Sequence, residues 1–319
     1  MKNIVVVYFG DDWQKEVPIS NDLTREAFKG WCKMGEECGV AVFRASIFWY
    51  DVKKNVFQKA WTYREDQWLK VEHPVKPDLI YDKVGSKHDY ELFDLKRKIG
   101  ERVKVFNDPQ FRAIIGNKLS QYMLFGEFMP KSFVANDKNE LKKALKKIKT
   151  AKVVIKPLYG SGGNGIVIDE KENAFKHEYF FPVLVQEFII SKKGVPGFSK
   201  QDEVSDLRLV FNHHKLTYAL SRIAKPGSLF TNLHQGASGA MVPKEAIPAT
   251  VHKITKKIIK RLRVFPQAQY SLDFIFDNNS KPYLVELNTT PGIDLIHTLG
   301  TQEEIFANFK AVADLAKRK

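Results

Sequence analysis

The sequence predicts an α/β chain in two parts. Three observations point to this. A short β-branched run, Ile4 to Phe9, stops at Gly10; strands and helices alternate up to about residue 107; and the chain is strand-rich from Lys152 onward. The alternating part reads as a doubly wound domain, a mostly parallel sheet with helices on both faces. The later part, with strands following one another more directly, reads as α+β. At 319 residues and about 150 per domain, two domains are expected.

Ile4 to Phe9 is apolar without alternation, as a strand covered on both faces would be. A helix is predicted over Asp22 to Cys38, followed by strands at Val40 to Ala45, Asp78 to Tyr81 and Val103 to Phe106. The aromatic segment from Ile47 to Trp68 shows no period and has no predicted shape. Asn107-Asp108-Pro109 is a helix start, with Asp108 as cap and Pro109 in the first turn. Gly116 then ends one helix and Asn117 opens another, which puts Lys118 in its first turn. Further strands are predicted at Lys152 to Lys156, Val183 to Ile189, Leu207 to Phe211, Leu216 to Arg222, Ser271 to Phe276 and Tyr283 to Leu287.

Lys plus Arg number 51 against 37 Asp plus Glu, a net charge of +14 with neutral histidines, which favours anionic partners. The lysines concentrate on two amphipathic helices, Glu140 to Lys149 and Lys253 to Arg263. No aromatic residues interleave with them as base-stacking readers would, so a nucleic-acid partner is not expected and solvated outer faces are. Cys32 and Cys38 fit no disulfide scaffold or zinc spacing. The longest N-terminal apolar run is too short for a signal core or a membrane span. A cytoplasmic protein with reduced thiols and no membrane partner is expected.

Two segments carry chemistry. Lys156-Pro157-Leu158-Tyr159 leads from a strand into Gly160-Ser161-Gly162-Gly163-Asn164-Gly165. Closely spaced glycines let the backbone fold around an anion with its amides inward, and a lysine ahead of them adds a point charge for phosphate. No GK[ST] follows, so this is not a Walker A loop. The second segment is a hairpin, Ser271 to Phe276 returning as Tyr283 to Asn288 about Asn279 and Ser280. It sets Asp273 opposite Glu286, and the two-residue period puts Asn288 on the face of Glu286. Two carboxylates and an amide oxygen are hard donors that suit magnesium bound together with ATP phosphates.

In these motifs the sequence resembles the ATP-grasp ligases, in particular the RimK-like glutamate ligases and the glutathione synthetases. The resemblance runs from about Asn107 to Gly292. It implies a pre-ATP-grasp domain over 1–107 and an ATP-grasp domain over 108–319, with a central lobe at about 116–190 and a C-terminal lobe at about 191–319. Lys118 and Lys156 match the family's two phosphate lysines, and Gly160, Ser161, Gly162 and Gly163 its phosphate-covering loop. Gln186, Glu187, Phe188 and Ile189 resemble the hinge that holds adenine. Asp206-Leu207-Arg208 resembles the D-x-R strand, and Arg222 the basic residue of the next one. Asn232-Leu233-His234-Gln235-Gly236 resembles the loop that reaches phosphates and acceptor, and Asp273, Glu286 and Asn288 fall on the metal ligands. Arg208, Arg222 and Asn232 are thereby implied as catalytic residues. ATP with magnesium, or manganese in its place, is the implied cofactor set, and a homo-oligomer is in keeping with the family.

Two departures stand out. RimK-like ligases carry an arginine shortly before the Asn-Leu-His run and a basic residue after it; this chain has Leu229-Phe230-Thr231 and Gln235. The usual acidic ribose ligand is missing after the hinge, where the longer 190–205 connection offers Ser191, a backbone group or Asp202. The implied activity is ATP-dependent joining of a small-molecule or peptide carboxylate to an amine through an acyl phosphate. A small-molecule kinase resembling the ATP-grasp inositol phosphate kinases is the alternative, and a non-catalytic nucleotide-binding protein a third.

Overall fold

The computed structural model describes residues 1–160, 163–231 and 236–318. Strand β1 (Lys2–Tyr8) is followed by α1 (Asp22–Glu37) and β2 (Val40–Ser46). Asn21 starts α1 by accepting the N–H of Thr24, the usual service of a short polar side chain at that position. The aromatic segment without a period forms four short strands. β3 (Tyr50–Asp51) and β4 (Val56–Phe57) pair with each other. β5 (Ala60–Arg64) and β6 (Gln67–Val71) make a hairpin that joins β2 through Arg44 and Trp61. Alternation fails here because Ala60 to Tyr63 are buried on both faces of β5.

β7 (Leu79–Asp82), α2 (Phe93–Gly100) and β8 (Lys104–Phe106) complete a six-stranded sheet of order β6-β5-β2-β1-β7-β8. Its β2, β1, β7 and β8 run parallel. Ile4 and Val6 pack on the side of α1, Val5 and Val7 on the side of Ile99 in α2. Both faces are covered, which is why β1 reads as an unbroken apolar run.

Asp108 and Pro109 open α3 (Pro109–Ile115), and Asn117 caps α4 (Lys118–Phe125) by accepting from Leu119 and Ser120. A four-stranded antiparallel sheet follows, of order β11-β10-β12-β9. It comprises β9 (Ser132–Ala135), β10 (Lys152–Pro157), β11 (Val167–Glu170) and β12 (Val183–Glu187). Against it lie α5 (Lys138–Lys147), through Leu141, Ala144 and Leu145, and the short α6 (Lys171–Ala174). The third sheet, β15-β14-β13-β16-β17, is also antiparallel. Its strands are β13 (Ser205–Asn212), β14 (Lys215–Ile223), β15 (Ser238–Met241), β16 (Gln269–Phe276) and β17 (Pro282–Asn288), backed by α7 (Ala249–Leu262). The chain then forms α8 (Asp294–Leu299) and α9 (Gln302–Lys317).

Several expected bounds shift. The strand expected to reach Ile189 stops at Glu187, and the lysine-rich helices start earlier, at Lys138 and Ala249. The 190–205 connection folds back on itself, with the Gly194 N–H donating to the Glu203 carbonyl at 3.0 Å. Gly194 has φ +66°, and a Cβ there would lie 2.2 Å from Ser199 Oγ, so only glycine fits. Cys32 and Cys38 are free thiols. No helix among the described residues is long and apolar enough to cross a membrane.

The last helix returns to the first sheet. Phe309, Val312, Ala313 and Ala316 of α9 share one core with Ile4, Val6, Trp31, Tyr81 and Phe106, and Phe309 meets Trp31 edge to face at 5.2 Å. Phe309→Ala is expected to lower unfolding free energy by about 3–5 kcal/mol, as a fully buried aromatic does. Urea denaturation checks this, and a shift below about 1 kcal/mol would mean that the core closes without the ring.

Candidate active site

The hairpin of β16 and β17 brings the predicted carboxylates together. Its turn is tied by Asp277, whose Oδ1 accepts the N–H groups of Asn279 and Lys281 at 2.9 Å each. Asp273 and Glu286 are direct register partners. A bulge follows, since Phe274 pairs with Leu284 and leaves Val285 over. An extra residue escapes the ladder and re-aims its neighbours. Leu284 and Leu287 therefore stay in the core, whereas Val285 and Glu286 both reach the cleft between the second and third sheets.

Lys156 enters this cleft from β10 and donates to the Val285 carbonyl at 3.2 Å. Burial, reinforced by the charge of Lys118 and opposed by Glu286, pushes its ammonium down to about 8. Lys118, placed by the break after Gly116, donates to the Gly160 carbonyl at 2.7 Å and lies 3.4 Å from Glu286 Oε1. Asn117 Nδ2 donates to the Tyr159 hydroxyl at 2.5 Å. The glycine loop is thus fastened at its root to the start of α4. Gly160 and Gly163 have φ of +111° and +79°, and Gly163 lines the cleft.

Opposite lies a buried ion network across β14, β13 and β16. Asp273 accepts from Arg208 Nε at 2.8 Å and Nη2 at 2.6 Å, and from Arg222 Nη2 at 2.8 Å. Arg222 also grips Asp206, its neighbour in register, through Nε at 2.9 Å and through Nη2. Thr231 Oγ1 donates to Asp206 at 2.7 Å and ties the segment after β14 to the network. Burial alone would raise the Asp273 carboxyl; Arg208 and Arg222 outweigh it and hold the group below the ordinary carboxylate value. Asp273 is therefore ionised at neutral pH, the state a hard cation requires.

The sequence candidates separate accordingly. Lys156, Gly163, Gln186, Glu187, Phe188, Ile189, Arg222, Asp273 and Glu286 all line the cleft. Arg208 stands behind Asp273, and Lys118 at the loop. Asn288 keeps the face of Glu286 but is not among the residues lining the cleft, and its Oδ1 accepts the N–H of Thr290 at 2.9 Å and the Thr290 hydroxyl at 3.3 Å, closing the turn after β17. Ser161, Gly162 and Asn232, with Leu233, His234 and Gln235, lie outside the described residues. Of the ribose candidates, Ser191 lines the cleft with its hydroxyl buried and without a hydrogen-bond partner among the described residues, whereas Asp202 is exposed in a separate groove.

Val154, Ile168, Ile275 and Val285 give the cleft apolar walls that the sequence reading did not single out. The return of β11 after the glycine loop was the available signal for Ile168. Among the described residues no three or more His, Cys, Asp or Glu side chains cluster as metal ligands. The donor set is two carboxylates, which fits a magnesium-type ion completed by phosphate oxygens and water.

Residues 124–307, more than half of the chain, match a family model described as RimK-like ATP-grasp domain. The chain belongs to the RimK-like ATP-grasp family. The matched span includes the glycine loop, hinge, ion network and carboxylate hairpin; Lys118 lies just before it. A probable alpha-L-glutamate ligase from Hydrogenovibrio crunogenus is 28% identical over 189 residues, 56% of this chain and 56% of the relative. The chain spans about half the length of the curated relatives it matches. The ATP-grasp fold extends over the whole chain. D-alanyl-alanine synthetase A from Vibrio cholerae superposes with a TM-score of 0.66 at 12% identity, covering 99% of this chain and 98% of that one. The ATP-grasp ligase PsnB, solved with a minimal precursor, Mg and ADP, superposes at 0.59 with 13% identity and 97% coverage of each chain.

Proposed function

We propose that this protein is an ATP-dependent carboxylate–amine ligase that forms an amide or peptide bond in the cytoplasm and releases ADP and phosphate. The observation that carries the reading is the convergence of Lys156, Arg222, Asp273 and Glu286 on one cleft beside a glycine loop, in a chain of the RimK-like ATP-grasp family.

A carboxylate is a poor electrophile until its oxygen is phosphorylated. In this reading the apolar walls from Val154, Ile168, Ile275 and Val285 take adenine, with the hinge at Gln186 to Ile189 along its edge and Ser191 at the ribose. Lys156 and Lys118 set point charges against the phosphates, and the amides about Gly160 and Gly163 close over them. Asp273 and Glu286 would hold magnesium, or manganese in its place, which would supply charge neutralisation at the phosphates. Transfer of the γ-phosphoryl group to the carboxylate needs positioning and charge rather than a side-chain nucleophile. The amine then attacks the acyl carbon. Arg222, held in orientation by Asp206, stabilises the oxyanion that develops. Arg208 keeps Asp273 ionised behind it. Asn232, implied by the family resemblance alone, completes the proposed catalytic set.

Leu229, Phe230 and Thr231 line the cleft and stand where the family resemblance leads to an arginine for an acidic substrate. Neutral or apolar donors and amines are therefore expected to outperform glutamate when ATP turnover is screened side by side against amino acids and peptides. Glutamate as the best substrate would overturn that specificity and leave the ligase standing. Hydroxylamine tests the reaction class, because it captures an acyl phosphate as a hydroxamate. A phosphorylated alcohol as sole product, with no hydroxamate, would replace the ligase by a kinase.

A further inference from the structure

We infer that Lys83 is a substrate-positioning residue: its ammonium anchors the free, unactivated carboxylate of an amino acid or peptide bound between the first sheet and the turn after β17. The substrate class rests on the ligase reading above; the placement of Lys83 does not.

The sheet order sets the place. The chain leaves β1 for β2 on one side, then crosses back past β1 to β7 on the other. The carboxyl ends of β1 and β7 therefore flank a topological switch point, where open α/β sheets leave a crevice for ligands. Lys83 is the first residue beyond β7, and its N–H donates to the Val7 carbonyl at 2.9 Å. Its side chain crosses to the turn after β17, where Nζ donates to the Pro291 carbonyl at 2.6 Å and lies 4.5 Å from the centre of the Tyr81 ring. Pro291 is five residues past Glu286, at most about 17 Å of extended chain. That span suits a substrate whose reacting end lies at the phosphates.

The ammonium is under-used where it sits. It forms no ion pair among the described residues, and only one of its three N–H groups has a recorded acceptor. Asp82 beside it is committed to Lys96 at 2.7 Å and to the Arg112 cluster. The negative charge of Asp294, in the first turn of α8, favours the charged form of Lys83 and disfavours ionisation of the Tyr8 hydroxyl. Burial, with Arg112 adding to it and Asp294 and Asp82 opposing, pushes Lys83 down to about 7. The ammonium gains an ionic partner when a carboxylate enters the crevice.

Binding and turnover test this separately. Trace acetylation of the Lys83 amine with acetic anhydride, read by peptide mass, is expected to slow when a mixture of free amino acids is present. The same mixture as amino-acid amides should leave the rate unchanged. Equal rates in both would overturn the assignment, with or without ligase activity. In turnover, Lys83→Met should raise KM for the anchored substrate about tenfold to a hundredfold, as loss of a charged hydrogen bond does. KM for ATP should hold. The wild-type KM for that substrate should climb as pH rises through about 7, where the free protein loses the Lys83 proton. Lys83→Arg, charged throughout, should keep binding and lose this pH dependence. A lowered melting temperature with an unchanged KM would mark Lys83 as structural and overturn the inference. Absence of any hydroxamate in the wild type would instead count against the ligase and leave the labelling result to stand.

Discussion

Glu286→Ala is expected to abolish ATP turnover and to leave the protein folded. If Glu286 is one of two metal carboxylates, as proposed, its removal should forfeit several kcal/mol of charge stabilisation in the phosphoryl transfer, a drop of about a thousandfold or more. The fold should survive because the Glu286 side chain is about a quarter exposed, with 26% of its surface open, and its ion pair among the described residues, to Lys118, is 3.4 Å long. A long pair with one partly open partner should cost less to lose than the fully buried Asp273 network. ADP release at saturating magnesium, beside a thermal melt, reads both quantities. Near-normal turnover would remove Glu286 from the metal site.

Asp273→Ala is expected to lose turnover and stability together. Its carboxylate is the shared partner of Arg208 and Arg222, all three buried. Breaking a buried pair strands the remaining charge and costs about 3–5 kcal/mol. The contrast with Glu286 is the test, since a purely catalytic Asp273 would leave the urea midpoint in place. Acid titration adds a second readout. The Asp273 carboxyl lies below its ordinary value of 3.8 in the folded protein. Its contribution to stability is thus complete above that value and is lost as pH falls through the lower folded one. The wild type should lose that increment on acidification below 3.8, and Asp273→Ala should not.

The parts of the site set by local rules were legible in the sequence. Equal arms about Asn279 and Ser280 put Asp273 opposite Glu286, and capping chemistry at Gly116 and Asn117 placed Lys118. What escaped depends on exceptions to period or on partners distant in sequence. The bulge after Asp273 leaves no trace in a two-residue alternation, yet it turns both Val285 and Glu286 to the cleft. Asn288 shares the face of Glu286 by period, but the short loop to Thr290 claims its oxygen. Arg208 and Arg222 looked like residues aimed at substrate, and their register neighbours Asp273 and Asp206 occupy much of their donor capacity. Lys83 carries no motif at all. Its position emerges only when the sheet order and the Pro291 turn are known.

The return of α9 ties the order of synthesis to the order of folding. Ile4 and Val312 share a core although nearly the whole chain separates them. Domains ordinarily fold as they leave the ribosome, beginning with the first. Here one apolar face of the first sheet is covered by α1 alone until residues 302–317 arrive, so the second and third sheets can assemble before the first is sealed. Contacts this distant in sequence form late, because the intervening loop must be closed first. A nascent chain arrested before α9 should expose that face to proteolysis while the two later sheets are already protected.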